Sequence, residues 1–406
     1  MCGIAGFLDG TARRAAEPAH AVVAAMTASL RHRGPDGEGV WVESDGSAAL
    51  GHRRLAILDL SSAGAQPMRS ASGRWVVTYN GEIYNFRALR DELAALGYPF
   101  RGHSDTEVLL AGVEHWGIGK TLERVRGMFA LALWDREERA LWLARDRVGK
   151  KPLYYGWCGG CFLFGSELRA LRRHPRFDPE IDRAALAAYV ARGFVPQPFS
   201  IHRAARPLAP GSLLRVRPED PPDGAEPARF WSAREAAEAG ERAPCTDPYP
   251  AAVQRLEALL ADSVRERLLA SDVEVGAFLS GGVDSAAVVA LAQAAAGRPL
   301  ATFTIGFEDP RRDESPAARA LARHLGTDHH ELVVTPAQTL ALVPELPRIW
   351  DEPFADVSQI PTLLVARLAH ERVKVVLSGD GGDELFGGYA HTRECLRRWE
   401  LSLIHI

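Results

Sequence analysis

An apolar run from Val273 to Leu279 opens directly onto Ser280-Gly-Gly-Val-Asp-Ser285, and a helix-like run, Ala286 to Ala296, follows at once. A buried strand, a glycine-rich loop and a helix in that order admit few folds. The alternation continues on both sides. A long helix is predicted over 251–269, strands over 300–305, 330–334 and 373–377, and a helix over 315–325. Strand and helix in alternation predict a parallel sheet covered by helices. In such sheets ligands sit beyond the carboxyl ends of the strands. The loop has the chemistry for an anion there. Gly281 and Gly282 let backbone N–H groups close on it, and the helix start adds partial positive charge. Ser280 and Ser285 offer hydroxyls, and Asp284 can hold a divalent cation. The spacing is not that of a P-loop, and no lysine ends the loop to reach a γ-phosphate. Two glycines alone would be equally well explained as a turn opening a helix; the complete string is not.

A second glycine-rich loop, Ser378-Gly-Asp-Gly-Gly-Asp-Glu384, also follows an apolar strand, which places it beside the first. Its bland reading is a flexible acidic turn. Asp328-His-His-Glu331 has the composition of a metal cluster, but adjacent residues of a strand point to opposite faces, so the two histidines are not expected to share an ion. The Ser280–Ser285 string resembles the pyrophosphate loop of ATP pyrophosphatases, and Ser378 to Tyr389 resembles asparagine synthetases. That resemblance implies ATP contacts from the 280–285 loop, Leu279, Ile305, Ser378 and Gly379. It also implies Mg²⁺ on Asp284 and Asp383, and an acyl-adenylate near Asp380, where the family carries the longer Glu. Magnesium suits oxygen ligands that bridge to phosphates. Asp351 to Asp356 and Pro361-Thr362 match family segments lining the same site.

The other half of the chain carries different chemistry. Cys2 follows Met1, and removal of Met1 would put a thiol and a free α-amine on one residue. An amine titrating near pH ~8 can serve as the general base for its own nucleophile. Arg31 to Gly37, Gly51 to Asp59, Tyr79 to Asn85 and His103 to Glu107 each have a dull explanation. Asn80-Gly81 could form a hairpin turn and Ser104 with Glu107 a capping box. In this order they resemble class II glutamine amidotransferases, the N-terminal-nucleophile glutaminases of the asparagine synthetase type. The resemblance continues through Arg126–Asp135, Arg145–Tyr154 and Phe164–Leu168.

The resemblance implies roles for matching positions. The Cys2 thiolate attacks the glutamine amide, and Asn80 and Gly81 form the oxyanion hole. Arg54, directly before Leu55, pairs with the substrate α-carboxylate, Asp105 binds its α-ammonium and Glu82 orders the pocket. The implied fold is an αββα sandwich of two antiparallel sheets, followed by an α/β parallel-sheet ATP-pyrophosphatase domain that is incomplete. Short β-rich runs at 76–79, 129–134, 140–145, 153–157 and 161–165 agree with the sandwich. Cys158-Gly-Gly-Cys161 reads as a hairpin turn, since no second cysteine pair completes a zinc site.

The implied reaction joins the halves. Glutamine is hydrolysed at Cys2, and the ammonia passes to a β-aspartyl-adenylate made from aspartate and ATP. Asparagine, glutamate, AMP and diphosphate result. The alternatives are amidation of another carboxylate in polysaccharide or antibiotic synthesis, a tRNA-modifying ATP pyrophosphatase, and a non-catalytic remnant. The expected organisation is a glutaminase domain over 1–175, self-contained and able to hydrolyse glutamine weakly; a connector over 176–250 packing with the second domain; and a synthetase domain over 251–406.

Composition narrows the setting. A net charge of −4 gives no electrostatic case for nucleic acid or an anionic membrane. The apolar runs are strand-sized, the N-terminus lacks a signal-peptide pattern, and five irregularly spaced cysteines fit a reducing cytoplasm. A homodimer is compatible with the family. Leu401 to Ile406 has no family counterpart, which predicts a shortened chain that aggregates and makes no asparagine.

Overall fold

Strand β1 (Gly3–Asp9) has no solvent face. Ile4 and Leu8 turn to one side and Ala5 and Phe7 to the other, and all four are buried. A strand of that pattern must lie inside a layered structure. The computed structural model, which describes residues 1–10, 16–222, 224–311 and 313–400, shows the layers. Further strands are β2 (Gly37–Val42), β3 (Ala48–Arg54), β4 (Met68–Arg69), β5 (Trp75–Ile83), β6 (Gly127–Asp135), β7 (Ala140–Arg145), β8 (Tyr154–Cys158), β9 (Cys161–Gly165), β10 (Arg206–Pro207), β11 (Ser212–Val216) and β12 (Ala228–Arg229). They form two antiparallel sheets, ordered β10-β8-β9-β1-β3-β2 and β12-β11-β7-β6-β5-β4.

Ile4, Leu8, Leu50, Val76, Trp134, Phe162 and Phe164 fill the space between the sheets. Ala5, Phe7, Ala49 and Leu163 face Val23, Met26 and Leu30 at the Ala16–Ala28 helix. The Asp105–Trp116 helix lies against β5 on the far side. Helix, sheet, sheet, helix is the expected sandwich. Each fully buried large apolar side chain contributes roughly 1.5–3 kcal/mol relative to exposure.

Local differences from the sequence reading have physical causes. Asn80-Gly81 is no hairpin turn: β5 continues through it, with Asn80 opposite Ala130 and Gly81 opposite Phe129. Glycine is needed there because a Cβ would lie 2.4 Å from the Met128 carbonyl oxygen. Ser104 caps its helix by accepting from Glu107 N–H, but Glu107 turns its carboxylate to the amides of Arg101 and Gly102, so only half of the capping box forms. The Cys158–Cys161 turn is a tight hairpin, with φ of 55° and 80° at Gly159 and Gly160.

The chain forms two compact units, one of 1–246 plus 345–356 and one of 247–344 plus the described residues from 357 on. The connector, expected to pack with the second domain, instead belongs almost wholly to the first unit. The reason is backbone pairing: β10 adds to β8 and β11 adds to β7. The first domain is therefore not complete at residue 175.

The second unit holds β13 (Val275–Phe278), β14 (Ala301–Phe307), β15 (Asp328–Val334) and β16 (Val375–Leu377), all parallel, ordered β15-β14-β13-β16. Its core includes Ala277, Leu279, Val289, Leu300, Ala318 and Leu377. The helix after β13 starts at Val283 rather than Ala286, because Ser285 Oγ bonds back to the Gly282 carbonyl at 3.1 Å and closes the loop as a first turn. His329 engages Thr302 at 3.0 Å, whereas His330 stacks on Phe303 and meets Asp328. Among the described residues no three His, Cys, Asp or Glu side chains converge on a metal-sized point, and no helix is long and apolar enough to cross a membrane. Leu401–Ile406 lies outside the described residues.

Candidate active sites

In the first unit the site is built where β1, β3 and β5 stack. Thr78 Oγ1 donates to the Gly51 carbonyl at 3.0 Å and ties β5 to β3. Cys2 immediately precedes β1, and its Sγ accepts the Leu55 N–H at 3.3 Å. The thiol therefore sits at the end of β3, next to Arg54. Burial pushes its pKa up, and the Leu55 amide and nearby Lys151 only partly oppose this. The terminal amine, carried by Met1 in this structure, is held down to about 5 by burial first, with Arg33 and Lys151 adding to it. These surroundings favour a neutral amine at pH 7.

Asp105 brackets the other side. It accepts from Tyr79 O–H and Ile83 N–H, both at 2.9 Å, so it spans the strand segment that holds Asn80, Gly81 and Glu82. Burial raises its pKa despite those donors. An arriving ammonium would relieve that cost. Asn80 is 1 % exposed, and its side-chain Nδ2 has no hydrogen-bond partner among the described residues. A buried amide donor left unpaired costs about 1–3 kcal/mol, so it is an anomaly that a ligand oxygen would remove. Arg53 is committed to the Gly34 carbonyl and the Glu38 carboxylate. Arg54 makes no ion pair among the described residues; it donates only to the carbonyls of Ser61 and Asp59. A Cβ on Gly64 would stand 2.2 Å from Arg54 Nη2, so the glycine keeps the guanidinium's place open.

Arg33, Lys151, Ser166 and Glu167 were not singled out in the sequence, although each lies in a segment quoted there. Arg33 donates to the Cys2 carbonyl at 2.9 Å. Ser166 Oγ accepts Ile4 N–H at 3.0 Å. Lys151 is buried within electrostatic reach of Cys2 and Glu82, and burial lowers its pKa. For Glu167 the available signal was a charged residue following an apolar run; the other three carried none.

In the second unit the two glycine-rich loops leave adjacent strands, β13 and β16, and line one open cleft of about 570 Å³. Ser280, Gly282, Asp284, Ser285, Ser378, Gly379, Asp380 and Asp383 all border it, together with Glu384 and Tyr389. Ser280 and Ser285 hydroxyls bond each other at 2.8 Å, and Ser280 Oγ accepts Gly282 N–H at 3.1 Å. Glycines let the loops interlock. A Cβ on Gly379 would lie 2.8 Å from Ser285 N, and one on Gly382 would lie 2.4 Å from the Asp284 carboxyl carbon. Gly281 sits behind the lining, against Ala317. Leu279 is buried in the core, so only its backbone is available, and Ile305 lies on β14 off the cleft. The carboxylates fit a magnesium ion held by one or two side chains and completed by phosphate oxygens, the usual manner for that ion. They do not fit a metal caged by protein alone.

The first unit thus carries a thiol held at the end of β3 and a buried amide donor on β5, and the second a serine-glycine loop facing an acidic one on a parallel sheet. The family profiles agree: residues 1–231 match the glutamine amidotransferase domain and residues 255–404 match asparagine synthase. The chain is 42% identical over 98% of its length to a putative glutamine-hydrolysing asparagine synthetase of Mycobacterium tuberculosis (strain ATCC 25618 / H37Rv), covering 61% of that protein. It is 36% identical over 98% of its length to glutamine-hydrolysing asparagine synthetase 1 of Bacillus subtilis, covering 60% of it. It is 35% identical over 96% of its length to a putative asparagine synthetase of Methanocaldococcus jannaschii, covering 76% of it. The chain belongs to the glutamine-hydrolysing asparagine synthetase family. It spans about six-tenths of the length of the Mycobacterium and Bacillus relatives.

Proposed function

We propose that this chain serves glutamine-dependent asparagine synthesis, and that Cys2 is its glutaminase nucleophile. The observation that carries the reading is the buried Asn80 amide, without a partner among the described residues, on the strand that Thr78 ties to β3, at whose end Cys2 sits. Attack of the Cys2 sulfur on the glutamine side-chain carbon puts negative charge on the amide oxygen. Asn80 Nδ2 and the Gly81 N–H are the donors for that charge, and one such donor is worth about 3 kcal/mol. The α-amine of Cys2, once Met1 is removed, takes the thiol proton and returns it to the leaving ammonia. Water then hydrolyses the thioester to glutamate. Arg54 and Asp105 bind the substrate's α-carboxylate and α-ammonium, and Glu82 orders that pocket.

In the second unit the same reading places the ATP phosphates against the 280–285 loop, with Ser378, Gly379 and the backbones at Leu279 and Ile305 around the nucleotide. Asp284 and Asp383 would hold Mg²⁺, which neutralises phosphate charge when bound. Asp380 borders the acyl-adenylate. Aspartate's β-carboxylate displaces diphosphate from ATP, and ammonia then displaces AMP. The test is one experiment with two arms. With glutamine, aspartate, ATP and Mg²⁺, a protein that carries this chain at the full length of its relatives should release glutamate, AMP and asparagine. Cys2→Ala should lose glutamate release while ammonia still supports amidation. Glutamine hydrolysis at the wild-type rate by Cys2→Ala would reject the nucleophile. AMP formation with another acid from a panel, and not with aspartate, would reassign the acceptor.

A further inference from the structure

Glu167 spends its carboxylate unusually. It stands at the start of the Leu168–Leu171 helix but makes no side-chain cap bond. Instead two guanidinium groups and an imidazole converge on it: Arg33 at 2.7 Å, Arg169 at 2.8 Å and His32 at 3.0 Å. Two of these lead elsewhere. Arg33 is 9 % exposed and donates through Nε to the Cys2 carbonyl at 2.9 Å. Arg169 bonds through Nε to Asp351 Oδ1 at 3.0 Å, and Asp351 also holds Arg172 at 3.1 Å. An unbroken series of charged contacts therefore runs from the carbonyl of Cys2 to Asp351. Asp351 lies on the 345–356 segment, which clusters with the first unit although the chain on both sides of it belongs to the second. The neighbouring Ser166 holds Ile4 N–H and donates its own N–H to the Ile4 carbonyl at 2.8 Å. Residues 2 and 4 are thus both pinned to the same turn.

We propose that Glu167 is a positioning residue for glutamine hydrolysis, fixing the Cys2 backbone through Arg33 and anchoring that fix to the 345–356 segment through Arg169 and Asp351. The proposal rests on Cys2 being the nucleophile. Glu167 touches neither thiol nor substrate; it sets where the Cys2 Cα–Cβ bond starts and so where the sulfur points. Its burial raises its pKa, but His32 and Arg33 outweigh that and hold it down at about 2. The carboxylate is then charged throughout the working range. A shift of an ångström in a nucleophile costs up to about 100-fold in rate without requiring any change in substrate affinity.

The experiment compares Glu167→Gln, Glu167→Asp, Asp351→Asn and Cys2→Ala in the full chain. It measures glutamine hydrolysis and the rate at which iodoacetamide alkylates Cys2, scaled to the fraction of sites titratable. Glu167→Gln should lower kcat and the alkylation rate together by about 10- to 100-fold, with KM for glutamine changing about twofold or less. Glu167→Asp should recover most of that loss, and Asp351→Asn should lower kcat by a smaller factor. Wild-type kcat per titrated site in Glu167→Gln would overturn the proposal, because a merely structural glutamate changes the number of active molecules and not the rate of each. A loss confined to KM would overturn it as well. If Cys2→Ala hydrolyses glutamine normally, it is the nucleophile assignment that fails, whatever Glu167 does.

Discussion

At the scale of single residues, the groups that matter are those left in costly states. Asn80 keeps a buried donor unpaired among the described residues. Asn80→Ala should reduce kcat for glutamine hydrolysis by about 100- to 1,000-fold, the usual effect of losing one oxyanion donor. Glutamate release above a tenth of the wild-type rate would remove Asn80 from that role. Cys2 has its thiol pushed up by burial, so the resting group at pH 7 is the neutral thiol. Without glutamine, iodoacetamide alkylation should be slow at pH 7 and rise by about tenfold per pH unit, because only the thiolate reacts. A rate independent of pH would mean a preformed thiolate. Cys2, Asn80 and Arg54 were singled out in the sequence because the order of their segments resembles a known family. Arg33 and Glu167 were not. Their ion pair spans 134 positions, and no local pattern encodes a partner that distant.

At the scale of elements, the two loops of the cleft are held at glycine contacts. Gly379→Ala would push a methyl group to 2.8 Å from Ser285 N and 3.0 Å from the Asp284 Cβ. Such overpacking costs typically about 1–3 kcal/mol, and here the neighbour that must yield is backbone. ATP binding measured by calorimetry should weaken by at least about tenfold, since 1.4 kcal/mol is tenfold in affinity. Gly297→Ala, with nothing within 4 Å of the added methyl, is the matched control and should bind normally. Equal affinity in both variants would show that the interlock does not shape the site. The glycine strings marked these loops in the sequence. Their mutual contact was not legible, because it depends on β16 lying beside β13, a pairing between residues 275–277 and 375–377. Strand ends were misplaced for a related reason. β5 runs on through Asn80-Gly81 because β6 supplies partners, and tertiary pairing overrides a turn-forming dipeptide.

At the scale of the whole molecule, the two motif sets fall in different units. Asp284 and Asp383 belong to the second and Cys2, Asn80 and Asp105 to the first. Asp284→Asn removes a charge from the proposed Mg²⁺ site, so Mg²⁺-dependent diphosphate release should fall while glutamine hydrolysis stays at the wild-type rate. Loss of both activities, measured side by side, would reject the separation. The parallel sheet of the second unit was legible from strand and helix alternation, whereas the sandwich of the first was implied by the family resemblance, with which its short β-rich runs agree. The division between the units was not legible, because a short stretch deep in the second half clusters with the first. That stretch also governs how far the protein can be divided. The chain enters and leaves the first unit more than once, so no single cleavage yields both units whole. A nick near Thr246 would strand residues 345–356, an integral part of the first unit, on the other fragment. The two pieces should co-elute on native gel filtration and part only in denaturant, and a gene ending at residue 246 would encode a first unit with Arg169 and Arg172 deprived of Asp351.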